Sequence, residues 1–302
     1  MNDDALRDIL RSVDASDISS TQPLKEGRDD IVVTCASGSR HLVRLEGLHD
    51  SLLRQKWGYE QMRRAGLPCP VVEAHVEPCQ EFPAGCLVLE WLEAVPASAA
   101  LREHGDGPVT HEMCRELGAL LRSLHDVTAY REVPAYIFDD RGGHGGLYDC
   151  LEQFVGHSVR DGLVDARFLD DARSLVDRYA SRVPDPYPYK LHFTDMHFSN
   201  ALVASVADPR AMGLIDIEEI TVGWQMWDFT SWESWGLRFG NSWAREHILA
   251  GYGEVDMELY GVALLLRLAH PSTFVGTTRE EITRAVESGD IGDFRLGNLY
   301  DL

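Results

Sequence analysis

The hydropathy period of this chain changes once, near residues 92–97. Before that point, apolar residues fall in short runs bounded by turn residues; beyond it they recur every three to four positions. A single change of that kind restricts the chain to an α+β architecture, with a small β-rich lobe over residues 1–93 and a larger helical lobe over 94–302. A length of 302 residues suits two such lobes. In the first part, Ile31–Cys35 and His41–Leu45 flank Ala36-Ser37-Gly38-Ser39, a hairpin pattern. A helix is predicted from about Ser51 to Ala65, stopped by Gly66-Leu67-Pro68, with strands near Val71–Val76 and Cys86–Trp91. In the second part, Thr110 is expected to cap a helix carrying Met113, Leu117, Leu120, Leu121 and Leu124. Further helices are predicted around Leu147–Gly156, Asp165–Ser181, Trp243–Tyr252, Met257–His270 and Arg279–Ser288. An irregular interval, Tyr187–Val222, interrupts them with two short strands.

Charge narrows the choice of partner. Acidic residues outnumber basic ones 49 to 28, a formal net charge of -21. A field of that sign repels nucleic acid and anionic membranes and favours small cationic molecules. The opening MNDDALRDIL lacks the basic-then-apolar pattern of a signal peptide, and no window has the roughly 18 apolar residues of a membrane span. Six scattered cysteines form no CxxC pair, and no histidine stands at zinc-finger spacing, which suits reduced thiols in a cytoplasmic protein. Oligomeric state leaves no mark in the sequence.

Chemistry concentrates in one interval. Asp195 and Asn200 lie in the run His192-Phe193-Thr194-Asp195-Met196-His197-Phe198-Ser199-Asn200, followed by the strand Ala201–Val203. A turn at Asp208-Pro209-Arg210 and a second strand, Met212–Ile215, lead back to Asp216. A hairpin returning the chain brings Asp195, Asn200 and Asp216 into one small volume. That trio suits phosphoryl transfer: Asn200 and Asp216 offer hard oxygen ligands to Mg2+, and Asp195 accepts a hydroxyl proton. The same five-residue interval separates the catalytic Asp and metal-binding Asn of protein kinases.

Asp195-Met196-His197-Phe198-Ser199-Asn200 resembles the D-L-H-P-G-N segment of the aminoglycoside phosphotransferases and their relatives. Gly213-Leu214-Ile215-Asp216-Ile217-Glu218 is similar to their G-x-I-D-W-E, and Gly223–Asp228 to the two ends of their G-D-P-x-x-D. The resemblance implies a protein-kinase-like two-lobed fold with ATP, or alternatively GTP, and Mg2+ in the cleft. It further implies that Arg44 holds the nucleotide phosphates and pairs with Glu60 on the next helix, and that Gly27-Arg28-Asp29-Asp30 covers the phosphates. The segment Leu87–Leu92 looks like the interlobe strand whose backbone meets adenine, which assigns Glu90 and Leu92 to the nucleotide. On a helical wheel Glu60 lies beside Leu53 and Trp57, which points it inward, with a surface pair to Arg64 at i,i+4 as the alternative; Leu87–Leu92 as residues alone reads equally as a core edge strand.

The chain departs from the family at Phe193-Thr194, where His-Gly is usual, and at Trp224-Gln225, where Asp-Pro is usual. His197 orients the loop, contacts phosphate or is a buried structural residue; Glu218 is a group behind the metal or a cap; Asp228 is expected to hold the loop through backbone N–H groups. Residues 211–302 carry 15 Asp/Glu against 6 Lys/Arg, so a cationic hydroxyl acceptor is expected. Trp224, Trp227, Trp232 and Trp235 suit either an amine cage or helix packing. Gly142–Gly146 is a loop that borders the acceptor pocket or joins helices. An antibiotic such as an aminoglycoside is the leading acceptor, with an amino alcohol, sugar or nucleoside, or a catalytically silent nucleotide-binding module, as alternatives.

Overall fold

A computed structural model describes residues 3–11, 13, 17–25, 30–45, 49–127, 133–137, 146–183, 190–270 and 277–288. The turn residues Gly27–Asp29 and most of the glycine-rich stretch 142–146 lie outside the described residues.

Strands β1 (Ile18–Pro23), β2 (Ile31–Cys35), β3 (Arg40–Arg44), β4 (Val72–Val76) and β5 (Cys86–Glu90) form one antiparallel sheet in the order β1-β2-β3-β5-β4. Strand alternation gives the sheet two apolar faces. Val33, Cys35, Val43 and Val88 pack against Leu6, Ile9 and Leu10 of helix α1 (Asp3–Arg11). Leu87 and Leu89 belong to the other face, with Leu52, Trp57, Tyr59 and Met62 of helix α2 (His49–Arg64). The sequence reading had passed over α1 and β1; both are short, and β1 is polar and exposed along most of its length.

The chain leaves the sheet through Trp91–Ala94 and enters β6 (Val95–Pro96) and α3 (Ala97–His104). β6 pairs with β8 (Ala201–Val203), so the connecting segment is stitched to the hairpin of the helical lobe. One apolar core runs without interruption from Leu52 and Leu89 to Val286.

Helix α4 (Pro108–His125) begins two residues before its expected cap. Gly107 is the cap, and Thr110 closes the first turn from inside by accepting the Gly107 N–H at 3.2 Å. α4 crosses α9 (Ala244–Tyr252) at two glycines where the backbones meet directly: a methyl group on Gly118 would strike the Ile248 carbonyl, and one on Gly251 the Arg115 carbonyl. The expected helix near Leu147 is α5 (Leu147–Cys150) and α6 (Gly156–Arg160), joined by a π-helical turn at Leu151–Val155. α7 (Ala166–Tyr179) is capped by Asp165, whose carboxylate accepts the Phe168 N–H at 3.0 Å.

β7 (Lys190–His192), β9 (Ala211–Leu214), β10 (Thr221–Gly223), α8 (Met226–Phe239), α10 (Met257–Leu268) and α11 (Thr277–Ser288) complete the lobe. The predicted hairpin is β8 with β9, in register Ala201↔Leu214, and the Ile215 N–H donates to the Asn200 carbonyl at 2.9 Å. β7 pairs with β10, which carries the chain from Thr221 into α8 beside Phe193. Among the described residues no helix is long and apolar enough to cross a membrane.

Candidate active site

The loop after β7 is held from below by one carboxylate. Asp228, fully buried on α8, accepts the Phe193 N–H at 2.9 Å and the Thr194 N–H at 2.7 Å. His125 of α4 donates Nε2–H to it at 2.9 Å, and the Tyr252 hydroxyl of α9 meets His125 Nδ1 at 2.9 Å. Burial raises the Asp228 carboxyl, but His125, His192 and the backbone donors outweigh it and hold it below the ordinary carboxylate value. The expected backbone role of Asp228 is what the structure contains.

Thr194 occupies the position where the resemblance anticipates glycine, and it adopts φ +68°. Left-handed backbone costs a side-chain-bearing residue about 1–2 kcal/mol. Offsetting bonds run from its hydroxyl to the Glu219 carbonyl and carboxylate, each at 3.2 Å. The loop therefore keeps its shape without the glycine.

Asp195 follows, its side chain 42% exposed. Its Oδ1 accepts the Trp235 Nε1–H at 3.1 Å, and His197 Nε2 stands 3.5 Å from Oδ2. The Ser199 N–H donates to His197 Nδ1 at 3.2 Å, which leaves the ring proton on Nε2, facing Asp195. Partial burial raises the Asp195 carboxyl; His197 and the Trp235 N–H more than reverse this, so it lies below the ordinary value. His197 is thus an orienting residue for Asp195. Trp224, Trp227 and Trp232 are core residues, whereas Trp235 serves as a hydrogen-bond donor, a role outside both sequence alternatives.

Asn200 donates Nδ2–H to the Asp195 carbonyl at 3.1 Å. Only the amide nitrogen can face a carbonyl, so Oδ1 is left as an available oxygen. Asp216, at φ +58°, ends the returning hairpin, and its Oδ1 lies 2.9 Å from Arg44 Nη1. Arg44, buried at the end of β3, also meets Asp30 at 3.0 Å and Glu218 at 3.7 Å. Asp30, the last residue of the turn expected to cover the phosphates, is buried and further accepts the Leu45 N–H. The guanidinium therefore joins the sheet to the hairpin end.

Glu60 is not the partner of Arg44, nor of Arg64, among the described ion pairs. α2 is turned so that Gly58 lies against Ile217 and Ile220, where a methyl group would come within 2.9 Å of their side chains. That rotation brings buried Tyr59 beside Arg44 and Asp216, whose charges both act on its phenol. Glu60, one step round the helix, directs its charge at His75 and Tyr136. Tyr59 had no signal in the sequence beyond being an aromatic on a buried face. Glu90 ends β5 with its carboxylate accepting the Val71 N–H at 3.1 Å, and Leu92 follows in the connecting segment, its carbonyl bonded to the Ala94 N–H.

The chain matches the model of the phosphotransferase enzyme family over residues 25–262. No curated protein matches it. Among solved structures it is similar to a putative aminoglycoside phosphotransferase from Ralstonia eutropha (14% identity, TM-score 0.64, 98% of each chain). It is also similar to a choline/ethanolamine kinase family protein from Mesorhizobium loti (17% identity, TM-score 0.56, 99% of this chain and 95% of that one). A third is the streptomycin–ATP ternary complex of APH(2")-IIa (12% identity, TM-score 0.57, 99% and 95%). With the family model spanning most of its length and a kinase-like two-lobed fold beneath it, the chain belongs to the phosphotransferase enzyme family.

Proposed function

We propose that the protein is a small-molecule kinase. It transfers the γ-phosphoryl group of ATP, with GTP as the alternative donor, to a hydroxyl on a small cationic acceptor. The observation that carries this reading is that Asn200 is bonded on one side to the Asp195 backbone and on the other to Ile215, the residue before Asp216, with its amide oxygen left over. Residues 1–93 form the nucleotide lobe, with Arg44 on the phosphates and the Glu90–Leu92 backbone on the base; residues 94–302 hold the acceptor.

The donor set fits a hard cation: an amide oxygen with no other partner imposed on it and a partly exposed carboxylate. Mg2+ bound by Asn200 and Asp216 supplies neutralisation of phosphate charge. Asp195, kept ionised by His197 and Trp235, accepts the hydrogen of the acceptor hydroxyl and aims that oxygen at phosphorus. A depressed carboxyl is a weak base, so its main contribution is orientation, as a loose phosphoryl-transfer transition state requires.

For the acceptor, the acidic helical lobe and the similar structures point the same way. Streptomycin and the choline/ethanolamine class are both hydroxyl compounds carrying cationic nitrogen. An antibiotic such as an aminoglycoside is the leading acceptor, and a metabolic amino alcohol is the second reading. The intact loop at Thr194 favours an active enzyme over a silent nucleotide-binding module.

The test is ADP release with magnesium-ATP over aminoglycosides, peptide antibiotics, macrolides, nucleosides, choline and sugars. Acceptor-dependent turnover is expected, and Asp195→Asn should lower it about 10²–10⁴-fold with nucleotide affinity retained. Loss of nucleotide binding in that variant would make Asp195 a structural residue; no nucleotide binding by the natural protein would end the kinase reading.

A further inference from the structure

Away from the cleft, at the outer edge of the sheet, three side chains from separate elements converge. His49 is the first residue of α2, His75 lies on the edge strand β4, and Glu77 follows it. Among the described residues they are the one group of three His, Cys, Asp or Glu side chains placed to share an ion, with ligand atoms within 4.8 Å of one another. His49 Nε2 is 3.5 Å from one Glu77 oxygen, and His75 Nδ1 is 3.5 Å from the other. Ligands about 2.0–2.2 Å from a tetrahedral zinc stand roughly 3.3–3.5 Å from each other, the size of each histidine–carboxylate gap here.

The surroundings prepare the same geometry. His49 Nδ1 is 3.1 Å from the Ala84 carbonyl. A carbonyl can only accept, so Nδ1 carries a proton and Nε2 is the ring nitrogen turned towards Glu77, the backing that metal-binding imidazoles commonly have. The His75 side chain is 8% exposed, and its Nε2 is buried without a hydrogen-bond partner. Two imidazoles and a carboxylate form a donor set suited to zinc and neighbouring transition metals rather than to Mg2+.

We propose that His49, His75 and Glu77 bind a divalent transition-metal ion of the zinc class, tying the start of α2 to strand β4. Sequence spacing conceals the site because 26 positions separate the two histidines and no cysteine pair accompanies them. The same helix that begins at His49 carries Gly58 and Tyr59 to Asp216, so the ion would anchor the helix that braces the catalytic hairpin.

The experiment uses the full chain, stripped with a chelator and titrated with Zn2+ against a chromophoric competitor in excess Mg2+. One equivalent should bind, and thermal unfolding should move upward with zinc. His75→Ala and Glu77→Gln should each weaken binding at least tenfold and abolish the zinc-dependent shift. Glu77→Gln, at an exposed position, guards against a variant that fails to fold. Cys79→Ser and Asp216→Asn should bind as the natural protein does. Zinc binding unaffected by His75→Ala and Glu77→Gln, or lost in Cys79→Ser or Asp216→Asn, would overturn the proposal, as would the absence of stoichiometric binding.

Discussion

Asp228 and Glu233 lie five residues apart on α8, both withdrawn from water, and their carboxyl groups are driven in opposite directions. On the catalytic-loop side, Asp228 receives two backbone N–H groups and His125, and stays ionised well into acid. On the α9 side, Glu233 has the Tyr260 hydroxyl and Arg245 at 3.6 Å, and burial pushes it up to about 7. Burial is common to both, so the donors decide the charge. α8 thus presents an anion to the loop, and a carboxyl that titrates near neutrality to Tyr260 and Arg245.

Breaking the first half of that contrast should have the largest effect. Asp228→Asn removes the anion from beneath two amides and an imidazole, and urea unfolding should reveal a loss of about 3–5 kcal/mol. The pH dependence follows from the direction of the shift. A carboxyl depressed on folding contributes stability above its unfolded value near 4, and that contribution is lost as pH falls through the lower folded value. The variant should therefore show a flatter acid limb in unfolding measured from pH 6 down to 3.

Glu233 tests the other half, with the opposite sign. Its raised carboxyl favours the fold when protonated; that contribution is complete below the unfolded value near 4.3 and lost as pH rises through about 7. Glu233→Gln should gain about 1–3 kcal/mol relative to the natural protein at pH 8 and little at pH 4, as read by the same urea titrations.

Trp235 sharpens the comparison at the reacting end of α8. Trp235→Phe deletes one N–H from a partly exposed carboxylate, so kcat should fall by only about 3–10-fold. Because that donor helps to depress Asp195, the acid limb of the kcat–pH profile should move to higher pH; a role in packing alone would leave the limb in place. Smallest of all should be Glu60→Gln. With no ion pair to Arg44, it should change turnover and nucleotide KM by less than about threefold. A larger fall would mean that α2 rotates to bring Glu60 inward during the reaction.

What could be read in advance divides along similar lines. Asp195, Asn200 and Asp216 were legible because one hairpin brings them together, and a hairpin is a local event with turn residues to announce it. The strand bearing Arg44 was equally plain from its alternation. Arg44's partners were not: Asp216 lies 172 positions away, and a wheel diagram placed Glu60 inward when Gly58 and Tyr59 face the hairpin. Trp235 reaches Asp195 across 40 positions, and His125 reaches Asp228 across 103. Such contacts depend on how helices are rotated and spaced, which periodicity does not specify. The helix α8 itself escaped because its tryptophans and polar residues are buried on nearly every side, leaving no amphipathic stripe to follow.

The crossing of α4 and α9 carries a cost of its own. α4 delivers His125 and α9 delivers Tyr252 to the same chain of hydrogen bonds under the loop, so the distance between two backbones sets the seat of Asp228. Gly118 and Gly251 act as a gauge block for that distance. Adding a single carbon to either would spread the helices and unseat the support beneath Phe193 and Thr194. Two glycines that make no hydrogen bond to the loop are thereby as exacting as the carboxylate that does.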